Sequence, residues 1–139
     1  MKHEINMVLQ DGTQLLFSKE NRLVVKNKYI NYDVDFGDCF FCYGDEESIE
    51  YTFKEFIAGK LNKITVIGTT DPYLTFILMP NGVKGEREMG SSDILEEDGF
   101  CVKIELDLCA NGAFGGSFWC YCLNEDETKE FINQWLGLE

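Results

Sequence analysis

The sequence predicts an α+β fold, in which an antiparallel, hairpin-rich sheet has two amphipathic helices packed against it. Three observations point to this class. Apolar and polar residues alternate with the two-residue period of strands along much of the 139-residue chain. Asp11-Gly12 and Asn111-Gly112 stand between apolar runs, where such pairs are strong hairpin signals. Two other segments carry apolar residues at helical spacing.

The first part of the chain predicts strands at about residues 3–9, 13–17, 23–26 and 29–36, with a further candidate at 39–43. A hairpin turn at Asp11-Gly12 joins the first two strands, because both of these residues can adopt positive φ. Alternation in the fourth strand puts Asp33 and Asp35 together on its polar face. This half therefore predicts a series of hairpins.

A helix of about 12 to 14 residues follows, with Ser48 as its predicted N-cap. Its apolar stripe includes Ile49, Phe53 and Leu61, and acidic residues crowd its N-terminal end, where the helix dipole favours them. Strands are predicted next at 64–67 and 73–79, and residues 80–99 predict a long loop.

The end of the chain predicts a hairpin with strands at 102–108 and 114–123, followed by a helix. A two-residue turn at Asn111-Gly112 would pair Cys101 with Cys122, so a disulfide between them is geometrically conceivable, although the cytosol would keep it reduced. Asn124 and Glu127 have the spacing of a capping box, and Gly137 is expected to end the helix.

Charge narrows the possible partners. The chain has 12 Lys and Arg residues against 25 Asp and Glu residues, a net charge of −13. Nucleic acid and anionic lipid are therefore not expected as partners, because phosphate groups need clustered basic residues. The N-terminus has no signal-like apolar stretch, and no apolar run reaches the roughly 18 residues of a membrane span. We expect a cytoplasmic, single-domain protein spanning residues 1–139.

Residue types also argue against catalysis. His3 is the one histidine, so a nucleophile–histidine pair is not expected. Asp33 with Asp35, and Glu105 with Asp107, form pairs that alternation on a half-exposed strand produces automatically. We therefore predict no enzyme, cofactor or metal. An alternative is a small-molecule or metal-binding domain that uses the Asp33/Asp35 strand face.

The cysteines allow two interpretations. Four of them could supply thiolates to a structural zinc ion: Cys39, Cys42, Cys120 and Cys122. Residues three apart on a strand point to opposite faces, so Cys39 and Cys42 would diverge, which favours reduced core or half-buried cysteines. Cys120 and Cys122 are expected to share a face opposite Trp119 and Tyr121.

A binding surface is the function that the sequence favours. Acidic and aromatic residues interleave over residues 33–55, a combination suited to a cationic protein partner. The predicted contact residues are Asp33, Asp35, Asp38, Asp45, Glu46, Glu47, Glu50, Glu105, Asp107 and Tyr43.

The order of elements adds a family resemblance. Hairpins lead into an acidic helix, Asp71-Pro72-Tyr73-Leu74-Thr75-Phe76 enters a strand, and an amphipathic hairpin precedes a helix over Asn124–Leu138. This layout resembles small bacterial immunity proteins of polymorphic-toxin and contact-dependent growth-inhibition systems, loosely the WapI-type group. The resemblance implies a non-enzymatic inhibitor that binds a toxin domain, often a basic nuclease, and a monomer is favoured. A structural subunit that dimerises through a sheet edge is a third possibility.

Overall fold

The computed structural model describes residues 4–18, 21–35, 43–70, 74–80, 101–107 and 118–138. These residues form two antiparallel sheets of four strands each and two helices, which confirms the predicted α+β class. Neither helix in these ranges has the length and apolar character needed to cross a membrane. In chain order the elements are β1 (Ile5–Val8), β2 (Gln14–Phe17), β3 (Arg22–Lys26), β4 (Asn31–Asp35), α1 (Asp45–Ile57), β5 (Thr65–Gly68), β6 (Leu74–Met79), β7 (Cys101–Asp107), β8 (Phe118–Leu123) and α2 (Glu125–Leu136).

Both sheets are meanders, in which each strand pairs with the next one along the chain. The first sheet contains β1 to β4 and the second contains β5 to β8. In β1, Ile5 and Met7 are buried while Asn6 and Val8 are exposed, as the alternation predicts. The strand candidate at 39–43 and the loop predicted at 80–99 fall largely outside the described residues, and Tyr43 lies in a turn.

The β1–β2 turn has a longer loop than the two-residue turns that Asp-Gly pairs most often form. The N–H of Leu9 donates to the carbonyl of Thr13 at 2.8 Å, so three residues form the loop instead of two. Gly12 has a φ of 88°, whereas Asn21 is the one described non-glycine residue with a positive φ. The predicted hairpin is confirmed, and of its two signal residues only Gly12 takes the left-handed conformation. A three-residue hairpin loop needs a single left-handed residue, and Gly12 supplies it.

The β7–β8 hairpin pairs two residues away from the predicted register. Lys103 is the Cα partner of Cys122, and Cys101 lies opposite Met79 on β6. The predicted pairing of Cys101 with Cys122 is therefore wrong. A shift of two residues keeps the same side chains on the core face, so alternation in the sequence does not distinguish the two registers. The predicted turn at Asn111-Gly112 lies outside the described residues.

Helix α1 begins earlier than predicted. Its N-cap is Gly44, with a φ of 87°, and Ser48 lies inside the first turn, where its N–H donates to the Gly44 carbonyl at 3.0 Å. The prediction that Ser48 caps this helix was wrong. Carboxylates at positions 45–47 stabilise the extra turn, because they sit at the positive end of the helix dipole.

The boundaries predicted for α2 are confirmed. The Asn124 side chain accepts a hydrogen bond from the Glu127 N–H at 2.8 Å, and the Glu127 carboxylate accepts one from the Asn124 N–H at 3.1 Å. This is the predicted capping box. Gly137 ends the helix in the left-handed conformation, with a φ of 71°.

Trp135 of α2 joins the two sheets in one core. Its ring centroid lies 5.7 Å from Phe17 of the first sheet, 5.4 Å from Phe53 of α1 and 5.6 Å from Phe76 of the second sheet. The Trp135 side chain is 1% exposed. A single indole on α2 therefore packs against both sheets and the other helix.

Helix α2 also covers the outer edge of β1. The Gln134 side-chain amide accepts a hydrogen bond from the Asn6 N–H at 2.8 Å and donates one to the Asn6 carbonyl at 3.4 Å. The N–H of Gln10, beyond the end of β1, donates to the Glu127 carboxylate at 2.8 Å. Unpaired edge groups recruit other strands, so these side chains protect β1 from pairing with a further strand.

Candidate functional site: an acidic helix face

The predicted contact residues are distributed over three elements. Asp33 and Asp35 lie on β4 of the first sheet, and Glu105 and Asp107 lie on β7 of the second sheet. The first two turns of α1 contain Asp45, Glu46, Glu47 and Glu50, and Tyr43 lies two residues before this helix. Asp38 falls outside the described residues. The set therefore divides into separate groups, and each has different surroundings.

On β4, basic residues of the neighbouring strand neutralise the carboxylates. The Arg22 guanidinium donates two hydrogen bonds to Asp33, at 2.8 and 2.7 Å, and the Lys26 ammonium lies 3.9 Å from the same carboxylate. The hydrogen bonds from Arg22 lower the pKa of Asp33 below its usual value. Asp35 is the Cα partner of Arg22. Residues 22–35 carry three basic and two acidic side chains, so this face has no excess negative charge.

The same contacts weigh against a metal site on β4. Both carboxylate oxygens of Asp33 accept hydrogen bonds from Arg22, and a cation would have to displace that guanidinium. Within the described ranges, no three His, Cys, Asp or Glu side chains converge as a ligand set. The Arg22 contacts therefore disfavour a metal ion on the Asp33/Asp35 face, and small-molecule binding there stays a prediction.

Glu105 and Asp107 lie on β7, an inner strand of the second sheet. Glu105 is the Cα partner of Thr75 on β6 and of Cys120 on β8, and Asp107 is paired with Phe118. This register places the two acidic residues on a different sheet from Asp33 and Asp35 of the first group.

Asp45, the first residue of α1, is an internal structural group. It is 6% exposed, and its carboxylate accepts hydrogen bonds from the N–H and the hydroxyl of Thr70, at 3.0 and 2.6 Å. These bonds tie the start of the helix to the segment that follows β5. Its carboxylate is thus engaged inside the fold, and Asp45 is not part of the exposed acidic surface of α1.

The other predicted residues of α1 form an exposed acidic face. Glu46 and Glu47 are exposed in the first turn, and Glu50 is half-buried and pairs with Lys54 at 3.1 Å. Tyr43, two residues before the helix, is fully exposed. This group combines carboxylates with an aromatic ring that the core does not use.

Tyr51 belongs to this face, although the predicted contact residues did not include it. Its side chain is 65% exposed, opposite the buried stripe that contains Phe53. Glu47 and Glu55 are four residues before and after it, so they are its neighbours on the helix surface. The helical spacing from Ile49 and Phe53 was the signal that could have identified it. We define the α1 face as Tyr43, Glu46, Glu47, Tyr51 and Glu55.

The helices hold most of the negative charge of the described elements. Together α1 and α2 contain nine acidic and two basic residues, a net charge of −7. The eight strands contain four acidic and three basic residues, a net charge of −1. Helix α2 has no exposed aromatic residue, so acidic and exposed aromatic side chains coincide on α1.

Comparison of the chain with protein-family models, with curated proteins and with solved structures finds no match. The expected relation to immunity proteins therefore stays a prediction. The assignment of function rests on the geometry and charge of the residues described above.

Proposed function

We propose that the protein is a non-enzymatic, cytoplasmic immunity protein, which binds and neutralises a cationic toxin domain through the α1 face. The toxin domain is expected to be a nuclease, because nucleases present basic grooves to their polyanionic substrates. The proposed contact residues are fewer than the sequence predicted. They exclude the neutralised carboxylates of β4, the buried Asp45 and Glu50, which pairs with Lys54. They also leave out Asp38, Glu105 and Asp107, and they add Tyr51 and Glu55.

The observation that carries this proposal is that exposed carboxylates and an exposed tyrosine coincide on α1, with a second exposed tyrosine just before the helix. A partner lysine or arginine placed over the Tyr51 ring would gain a cation–π interaction of about 0.5–2 kcal/mol. The same cation would lie close to Glu47 and Glu55, one turn away on either side. Tyr43 offers a second aromatic anchor at the start of the helix.

Charge and aromatic contacts would have separate kinetic roles. The negative helix layer would attract a basic domain over about one Debye length, roughly 8 Å at physiological salt, and so raise the association rate. Tyrosines that become buried in the interface would slow dissociation. The complex should therefore lose association rate as salt is raised, while its dissociation rate changes less.

The first test is affinity capture from lysate of the source cell, with two charge-reversal variants as the comparison. Glu46→Lys with Glu47→Lys alters the α1 face, and Glu125→Lys with Asp126→Lys is the matched control on α2. Both pairs are exposed, lie in the first turn of a helix, and carry the same cost against the helix dipole. Equal net charge in the two variants removes non-specific attraction as an explanation.

We expect wild-type protein and the α2 control to retain one basic protein in stoichiometric amount, and the α1 variant to lose it. The captured protein's basic domain, expressed alone, should stop growth. Co-expression with wild type should restore growth, whereas co-expression with the α1 variant should not. Equal retention by the two variants would show that the α1 face is not the binding surface, and a captured domain without toxicity would refute the immunity function.

A further inference from the structure

The outer edge of β5 presents open backbone groups. β5 is an end strand of the second sheet and pairs with β6 alone in the described part of the chain. The N–H of Thr69 donates to the carbonyl of Leu74 at 3.0 Å, which fixes the phase of the β5–β6 ladder. Because hydrogen-bonded residues alternate along an antiparallel strand, Ile67 turns its N–H and C=O toward β6, whereas Val66 and Gly68 turn theirs outward.

The outer strands of the first sheet are protected from further pairing, whereas β5 is not. The edge of β1 is covered by Gln134 of α2, and β4 carries two aspartates. β5 contains no charged residue and no proline, and its Val66 side chain is 63% exposed. An uncharged edge strand with an exposed apolar side chain is a template for pairing with another chain.

The two ends of β5 lie beside opposite charges. Lys60 and Lys63 are exposed shortly before the strand, and no carboxylate in the described part of the chain pairs with either of them. Beyond the other end, Thr70 donates to Asp45 at 3.0 and 2.6 Å, which holds the acidic first turn of α1 there. The four residues of β5 span about 13 Å, so this edge is positive at its start and negative at its end.

We propose that two copies of the chain pair through β5, antiparallel and with two-fold symmetry about Val66. The outward N–H and C=O groups of Val66 then exchange hydrogen bonds with those of the same residue in the second copy. Ile64 lies opposite Gly68 of the second copy, where the glycine leaves room for the larger side chain. The contact is self-complementary, as an interface with two-fold symmetry requires.

This arrangement also matches the charges. Antiparallel pairing places Lys63 of each copy opposite Thr69 of the other, beside the acidic start of α1, whereas parallel pairing would bring lysines to lysines. Residues 58–70 contain two lysines and no acidic residue, so the copies meet where the chain, with its net charge of −13, is least negative. The dimer departs from the monomer that the family resemblance implies, and it does not depend on the proposed toxin partner.

Sedimentation velocity of the reduced full-length chain, at about 5–500 μM, tests the pairing as a weak association through a small interface. Wild type should pass from monomer to dimer over this range. In Val66→Lys the added charges of the two copies would lie directly opposite each other, so the dissociation constant should rise about tenfold or more. Because Val66 is exposed, the thermal unfolding midpoint should stay that of wild type.

Val8→Lys is the matched control, because Val8 is also an exposed valine of an end strand, and its substitution changes the net charge equally. The edge of β1 is covered by α2, so this variant should dimerise as wild type does. A wild type that stays monomeric over the whole range would overturn the proposal. Equal weakening by the Val66 and Val8 variants would overturn it as well.

A second pair of variants tests the antiparallel orientation. Lys60→Glu with Lys63→Glu places acidic residues opposite the acidic start of α1 in the other copy, so it should weaken the dimer. Lys28→Glu with Lys129→Glu changes the net charge equally at exposed positions of the β3–β4 turn and α2, and should have a smaller effect. Equal dissociation constants in the two double variants would overturn the antiparallel arrangement.

Discussion

Replacing Glu127 with alanine removes a carboxylate that connects three parts of the fold. Its oxygens accept hydrogen bonds from the N–H of Gln10 at 2.8 Å, from the N–H of Asn124 at 3.1 Å, and from the hydroxyl of Tyr121 at 3.3 Å. Glu127 itself is 9% exposed. The substitution therefore affects the β1–β2 turn, the start of α2 and β8 together.

The structure gives the size of the expected loss. The capping-box contact to Asn124 is worth about 1 kcal/mol, and so is the short bond from Gln10, because both donors are near solvent and water can replace the carboxylate in the variant. The longer contact with Tyr121 adds about 0.5 kcal/mol. We expect Glu127→Ala to lower the free energy of unfolding by about 2–3 kcal/mol, which corresponds to about 5–10 °C in Tm.

Denaturant unfolding followed by tryptophan fluorescence measures this loss, with Glu125→Ala as the matched control. Glu125 lies in the same turn of α2 and also favours the helix dipole, but its carboxylate is exposed and pairs with Lys129 at 3.2 Å. Its removal should cost about 0.5 kcal/mol or less. Equal losses in the two variants would refute the reasoning, because the effect would then come from the helix dipole alone.

The conservative variant Glu127→Gln separates charge from shape. Burial raises the pKa of Tyr121 above its usual value, and the negative charge of Glu127 raises it further. The raised pKa means that the folded state favours the neutral phenol of Tyr121. This preference stabilises the fold at pH values below the ordinary tyrosine pKa, and the stabilisation is lost as pH rises through the pKa of Tyr121 in the folded protein. In Glu127→Gln, the tyrosinate absorbance of Tyr121 should therefore appear at a lower pH than in wild type, though still above the ordinary value. An unchanged titration would show that the carboxylate has no electrostatic effect on Tyr121.

Three further predictions concern the sheets. In Arg22→Gln, the pKa of Asp33, measured by carbon NMR, should rise toward the usual aspartate value. In wild type the pKa of Asp33 is lower in the folded protein than in the unfolded chain. The Arg22–Asp33 pair therefore stabilises the fold at pH values above the unfolded pKa, and this stabilisation is lost as pH falls through the folded pKa. Gly68→Ala should destabilise the protein by about 1–3 kcal/mol in denaturant unfolding, because the added Cβ would overlap a backbone carbonyl oxygen of β6; unchanged stability would contradict this packing. Gln134→Ala should uncover the backbone groups of Asn6 and promote self-association in sedimentation velocity at high concentration, whereas the exposed-site control Glu130→Ala should remain like wild type.

Helix α2 shows what the sequence predicts well. Its boundaries depend on Asn124, Glu127 and Gly137, which act within a turn of the helix, and all three have the predicted roles. Alternation in β1 is equally local, since it depends only on which face meets the core. Helix boundaries and strand alternation of this kind can be predicted from nearby residues alone.

The errors arise where distant segments decide the outcome. A slip of two residues between β7 and β8 leaves the alternation unchanged, so the sequence did not reveal that Lys103 lies opposite Cys122. The neutralisation of Asp33 likewise depends on the register that brings Arg22 beside it across two strands. Asp45 looked like one more acidic residue of the helix, and its bonds to Thr70 were not apparent from the sequence.

The carboxylates of the two helices have different roles in the fold, and this difference supports the proposal that α1 is the binding surface. In α2, Glu127 closes the capping box and supports β1, while Gln134 and Trp135 cover the sheet edge and join the sheets. On α1, the carboxylate that is bound inside the fold is that of Asp45 at the first position, whereas Glu46 and Glu47 are exposed. Substitutions of these exposed residues are expected to cost little stability, which suits the proposed role of the α1 face in binding one partner.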